Sequence, residues 1–241
     1  MGLVNCSLGK GSLGGLCSLL ALLLMASPVP AQVLLADDFN DGNAAGWTEF
    51  DGSFSVQNGE YVIATSGFCN DGRTVTGDPT WTDYGIDVDF YVESTQPGAH
   101  AAVLFRVESI VPGCDAGKYY LAVVYPDHVG FCRVNFSGGS CSILKQATVA
   151  TAPQTWHHLR LLVSGVGATL TIDDTDVLSY SGFIDYPAGR IGVKSVNTQT
   201  VRYDNVLVQG PGSLWSDLGN ALAGTGGAPG LVGTGQLLPT T

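Results

Sequence analysis

The chain has 241 residues, of which 45% are hydrophobic, and it carries 10 Lys plus Arg against 21 Asp plus Glu, a formal charge of −11. That length is sufficient to bury one sizeable core. Its acidity excludes nucleic acid as a partner, because a polyanion needs a basic face to displace its counterions.

The first element in chain order is a leader. Residues 1–31 hold one cation, Lys10, and no acid, pass through the apolar run SLLALLLMA, and end on the small residues of Val29-Pro30-Ala31. This pattern predicts a cleaved secretory signal peptide. The uninterrupted apolar part is much shorter than the roughly 20 residues a bilayer span needs, so no membrane attachment is expected once the leader is gone. Cleavage removes one Lys and no acid, leaving 9 cations against 21 acids and a charge of −12. Such a chain is expected to be secreted, extracellular or at the cell surface, and its acidity suits divalent cation sites built from oxygen ligands.

Cleavage also leaves four cysteines, Cys69, Cys114, Cys132 and Cys141. An even set in an oxidising compartment predicts two disulfides, with three connectivities open. FCRVNFSGGSC reads as two strands around a Ser-Gly-Gly turn, which favours Cys132 with Cys141 and leaves Cys69 for Cys114. Without a C-x-x-C pair or a suitably placed His, the spacings argue against zinc.

The remaining elements read as strands. VLLADDFNDGNAAGW offers a short apolar strand running into an acidic loop. In GSFSVQNGEYVIATS the Asn58-Gly59 pair marks a two-residue hairpin turn. GFCNDGRT reads as a loop. The clearest signal lies from Trp81 to Glu108: Tyr84, Ile86, Val88, Phe90 and Val92 alternate with Gly85, Asp87, Asp89, Tyr91 and Glu93, the period of two that a half-buried strand requires. After Pro97-Gly98 a second run puts Ala101, Val103, Phe105 and Val107 on one face, with Arg106 on the other. Further on, Tyr119, Leu121 and Val123 share a face, opposite Tyr120. SCSILKQATV, WHHLRLLVSG, ATLTIDDTDVLSYSG, GRIGVKSV and TVRYDNVLV continue the rhythm. About thirteen short strands bounded by Gly, Pro, Asn or Asp predict an all-β fold, an antiparallel two-sheet β-sandwich of jelly-roll type. The expected organisation is a signal peptide at 1–31, one domain at 32–209, and a Gly-, Leu- and Thr-rich flexible tail at 210–241, a linker or the start of a further module.

Taken in order, DDFNDG followed by Trp47, VQNGEYVI, WTDYGIDVDFYVE, AAVLFRV, KYYLAVV, TWHHLRLLVSG with TLTIDD, GRIGV and VRYDNVLV resemble the secreted laminin-G-like and concanavalin-A-like jelly rolls, the superfamily of lectins and glucanase-related domains. The resemblance implies a carbohydrate or cell-surface polymer as partner. It also implies a structural calcium where the first and last strands meet, held by Asp38, the Gly59 carbonyl and Asp204; carboxylate and carbonyl oxygens suit that hard cation.

Activity is less clearly written. Glycoside hydrolysis needs two carboxylates flanking the sugar bond. Asp87, Asp89 and Glu93 share a face, the first two roughly 7 Å apart at strand rise. Retaining glucanases of this fold carry Glu-x-Asp-x-x-Glu, however, and here Asp stands for the first Glu and Glu93 lies one position late. No Gly-x-Ser-x-Gly or His-Glu-x-x-His is present, and His157 and His158 are expected to pack or hydrogen-bond. The alternation leaves Arg106, Tyr120 and Arg133 as ligand-binding candidates on an exposed sheet face, since guanidinium forks and aromatic planes suit saccharides. The sequence therefore predicts a secreted, non-catalytic jelly-roll module for carbohydrate recognition or adhesion. Alternatives are a glycoside or keto-sugar hydrolase on the same fold, or a structural spacer in a larger extracellular protein.

Overall fold

The computed structural model describes residues 31–67, 71–96, 98–135, 141–197 and 199–212, together with the backbone of two short strands in the tail. Strands fill the described chain: β1 (Val33–Asp37), β2 (Thr48–Phe50), β3 (Ser53–Gln57), β4 (Glu60–Ala64), β5 (Gly72–Thr76), β6 (Tyr84–Val92), β7 (Ala101–Ile110) and β8 (Gly117–Val124) come first. They are followed by β9 (His128–Asn135), β10 (Ser142–Thr148), β11 (Trp156–Ser164), β12 (Gly167–Ile172), β13 (Thr175–Ser181), β14 (Arg190–Ser195) and β15 (Thr200–Gln209), with β16 (Leu231–Val232) and β17 (Gln236–Leu237) pairing in the tail.

Two antiparallel sheets form a sandwich. One has eight strands in the order β13-β12-β11-β6-β15-β4-β3, with β1 also pairing β15; the other has seven, in the order β10-β9-β8-β7-β14-β5-β2. The expected all-β sandwich is therefore the observed fold. The Asn58-Gly59 hairpin forms as read, joining β3 to β4 with both turn residues at positive φ. Such a turn matches the right-handed twist of its flanking strands, and Gly59 adopts the left-handed region at little cost. The successive strands β6 and β7 do not form a hairpin, since they lie in different sheets. Gly72-Arg73-Thr74, read as the end of a loop, instead open the strand β5, all five residues of which are buried.

Between the sheets, Ile86, Val88, Phe90, Leu159, Leu161 and Tyr203 of one meet Val103, Phe105, Tyr120, Phe131, Ile191 and Val193 of the other. A second buried layer, including Leu104, Tyr119, Leu121 and Val134, lies on the outer side of the seven-stranded sheet. Polar groups fasten loops over that layer. Arg73, fully buried, pairs with Asp51 at 2.6 Å and donates to the carbonyls of Val111, Gly113 and Ala116. The buried Lys194 amine bridges Asp71, at 3.1 Å, and Asp115. Burial alone would push that amine down, but the charges of Asp115 and Asp71 outweigh it and hold it above its ordinary value.

This double burial corrects the expectation for Tyr120. Because β8 is apolar on both faces, alternation could not tell inside from outside, and Tyr120, rather than Tyr119, points into the sandwich with no exposed surface.

Candidate functional site

With Ile86, Val88 and Phe90 committed to the core, the opposite parity of β6 sends Asp87, Asp89 and Tyr91 to the outer side of the eight-stranded sheet. The same logic sends Trp156, His158 and Arg160 outward from β11, between the core residues Leu159 and Leu161. Register then aligns them in three rows. Trp156 faces Tyr91, which faces Arg202 of β15; His158 faces Asp89, which faces Asp204; Arg160 faces Asp87 on one side and Thr171 of β12 on the other.

In the first row Trp156 is 41% exposed and packs on Tyr91, with ring centroids 5.6 Å apart. The Arg202 guanidinium lies between Glu60, at 2.8 Å, and Glu93, at 2.6 Å. Those residues and Gln154 line an open depression of about 460 Å³. In the second row the His158 ring bridges both β6 carboxylates, Nδ1 to Asp89 at 2.7 Å and Nε2 to Asp87 at 3.1 Å. Hydrogen bonds to Asp87 and Asp89 lift the imidazole to about 9, so it is a cation at neutral pH. The His158 bond in turn holds the Asp89 carboxyl below its ordinary value, helped by the amide of Asn205 at 2.8 Å. In the third row Arg160 Nε donates to Asp87 at 2.7 Å. Asp87, Asp89 and Glu93 thus lie on one face as expected from the sequence, and each is engaged by a cation.

Asp204 differs from these. Burial, followed by the charges of Asp89, Glu60 and Asp38, raises its carboxyl, and its hydrogen bond comes from the backbone N–H of Asn205. Asn205, at positive φ, marks an irregularity in β15, beyond which the strand pairs with β1 instead of β4. The first and last strands therefore do meet at this point. The exposed Asp38 belongs to the same acidic corner, and Gly59 packs so closely there that a Cβ would sit 2.7 Å from the Asn40 side-chain oxygen. An open depression of about 530 Å³, lined by Asp37, Asp38, Asp41 and Asn205 among others, lies alongside. The described residues contain no group of three His, Cys, Asp or Glu side chains placed to hold a metal. The implied calcium set needs only two carboxylates, with carbonyl oxygens for the remainder, and Asp38 and Asp204 stand at one acidic corner where the first and last strands meet, so the donor chemistry fits.

The other sequence candidates are placed differently. Arg106 is 1% exposed, not a surface ligand-binder. It sits at positive φ where the register of β7 slips, and this bulge turns its side chain inward, where it donates to the carbonyls of Phe183, Thr82 and Gly165. Tyr120 accepts from the backbone N–H groups of Asp185 and Tyr186. Arg133, at the surface, pairs with Asp185 at 2.7 Å. All three residues anchor the 183–186 segment, and none reaches the rows on β6 and β11.

Cys132 and Cys141 are free thiols, not the expected bridge, although they are hydrogen-bonded neighbours; that contact and burial push the Cys132 thiol up. Cys114 is in a disulfide, while the expected partner Cys69 lies outside the described residues, as does the expected signal peptide up to residue 30. Trp156, His158, Arg160 and Arg202 were not singled out from the sequence as site residues. Their signal is the parity of W-x-H-x-R along one strand, which acquires meaning only when β11 is known to lie beside β6.

These two sheets and their order make the chain a concanavalin-A-like β-sandwich. The 3-keto-alpha-glucoside-1,2-lyase-like domain matches residues 35–209, and the chain belongs to that family. Over 88 residues, 36% of this chain, it is 39% identical to the extracellular exo-alpha-L-arabinofuranosidase of Streptomyces chartreusis, a match spanning 10% of that protein's length. Among solved structures, it resembles the carbohydrate binding module CBM66 from Bacillus subtilis, with a TM-score of 0.58 and 21% identity over 69% of this chain and 97% of that one. It also resembles the VIP36 exoplasmic/lumenal domain in its Ca2+/Man3GlcNAc-bound form, with a TM-score of 0.57 and 14% identity over 75% of this chain and 90% of that one.

Proposed function

We propose that this chain is an extracellular, non-catalytic module that binds carbohydrate on the outer face of its eight-stranded sheet. One observation carries the reading: Trp156 stands exposed on Tyr91 beside the Arg202 guanidinium in an open depression. An aromatic plane accepts the apolar C–H face of a sugar ring, and the adjacent guanidinium, carboxylates and Gln154 amide offer donors and acceptors to its hydroxyls. The likeness to a carbohydrate binding module and to a domain solved with a bound glycan supports the choice of ligand class. A glycan array on the purified domain, run beside a hydrolysis assay on the same sugars, tests it. Binding that weakens roughly tenfold or more in Trp156→Ala, without turnover, is the expected result.

Family membership favours a second reading, cleavage of a keto-sugar glycoside by Asp87, Asp89 and Glu93. Against it, a glycosidase needs a carboxyl raised to donate a proton, whereas Asp89 is held low by His158 and Asp87 accepts from His158 and Arg160. Turnover abolished by Asp89→Asn would establish this second reading; silence in both assays would leave a structural spacer.

The same proposal includes a structural calcium on Asp38, the Gly59 carbonyl and Asp204, tying the β3–β4 hairpin to the junction of β1 and β15. It also includes secretion by way of the leader at residues 1–31.

A further inference from the structure

Successive rows are two residues apart on the strands, which at strand rise is about 6.7 Å, somewhat longer than one pyranose unit with its linkage. The rows run along β11 and β6 without interruption: Trp156 with Tyr91, His158 with Asp89, Arg160 with Asp87. Each offers a different surface. The first is aromatic. In the second the half-exposed ring of His158 lies across Asp87 and Asp89. In the third, Arg160 keeps 42% of its side chain exposed and engages Asp87 through Nε. Beside it on β12, the Thr171 hydroxyl is held by Asp176 at 2.7 Å. Ion pairing within the rows fixes these side chains before any ligand arrives, which lowers the entropy cost of binding.

We propose that the three rows are consecutive subsites, so that the module takes a linear, uncharged oligosaccharide of about three units lying along β11, with one ring stacked on Trp156 and the far end reaching Arg160. Glu60, Asp87, Asp89, Glu93 and Asp204 outnumber Arg160, Arg202 and the His158 cation on this face, so a polymer of uronic acids meets net repulsion. The inference rests on the carbohydrate reading above and extends it from one depression to a strip of the sheet face with a defined length and polarity.

Neutral oligosaccharides of one to six units, in several linkage series chosen from the array hits, are titrated calorimetrically against the full chain. Affinity is expected to climb to three units and level off. Trp156→Ala lowers it roughly tenfold or more at every length. Arg160→Gln, which keeps a hydrogen-bonding stem, brings the trimer down to the affinity of the dimer and leaves the dimer unchanged; the melting temperature of each variant shows whether it is folded. Equal affinity for monomer and trimer, an Arg160→Gln trimer bound as well as by the parent, or preference for a uronic-acid trimer overturns the three-subsite proposal while leaving sugar binding intact. No binding at any length, or binding unaffected by Trp156→Ala, overturns the carbohydrate site itself.

Discussion

Replacing His158 by Ala removes the cation that Asp87 and Asp89 share, and the effect is expected to depend on pH. The imidazole rises from 6.5 to about 9 on folding, which corresponds to an upper bound of about 3 kcal/mol. The ring is 39% exposed, and solvent screening at such a position leaves on the order of 1 kcal/mol. Because the folded pKa lies above the unfolded value, this stabilisation is fully present below about pH 6.5 and fades as pH climbs toward 9. The paired effect on Asp89, whose folded pKa is depressed, is the same contact seen from the other partner and is counted once; it fades at the acid end, below the ordinary carboxylate value of 3.8. His158→Ala should therefore melt about 2–4 °C below the parent at pH 6, with the gap closing by pH 9.5. Thermal unfolding of both proteins from pH 5.5 to 9.5 measures this, and curves separated by a constant offset across that range would refute the charged clamp.

Other expected outcomes are these. Lys194→Met leaves the buried Asp71 and the part-buried Asp115 without their cation and should cost about 3–5 kcal/mol in urea unfolding; a cost under 1 kcal/mol would mean that the pair contributes little. Calcium should raise the melting temperature of the parent and EDTA reverse it, while Asp204→Asn abolishes the response; no shift with millimolar calcium would remove the metal from the account. Gly59→Val forces a branched residue to φ +81 against Asn40, and a loss of about 1–3 kcal/mol is expected in the same unfolding assay. Trp156→Ala should weaken glycan retention roughly tenfold or more with little change in melting temperature, since its ring is 41% exposed.

The face that carries Asp87, Asp89 and Glu93 was legible because β6 is polar on one side and apolar on the other. Where both sides of a strand are buried, as in β5 and β8, polarity carries no phase, and Tyr120 was assigned to the wrong face. Arg106 failed for a separate reason: the irregularity in β7 at this point changes side-chain direction, and nothing in AAVLFRVE marks it.

Local patterning, then, was enough to settle the class of fold, the hairpin at Asn58-Gly59 and the acidic face of β6, because period-two polarity and turn chemistry act between near neighbours. The pairing of β11 and β15 with β6 was decided by the tertiary structure alone. That pairing joins His158 to Asp89 across 69 positions and Asn205 to Asp89 across 116. Contacts at such separation depend on which strands the closing core brings side by side, and no local periodicity records that choice.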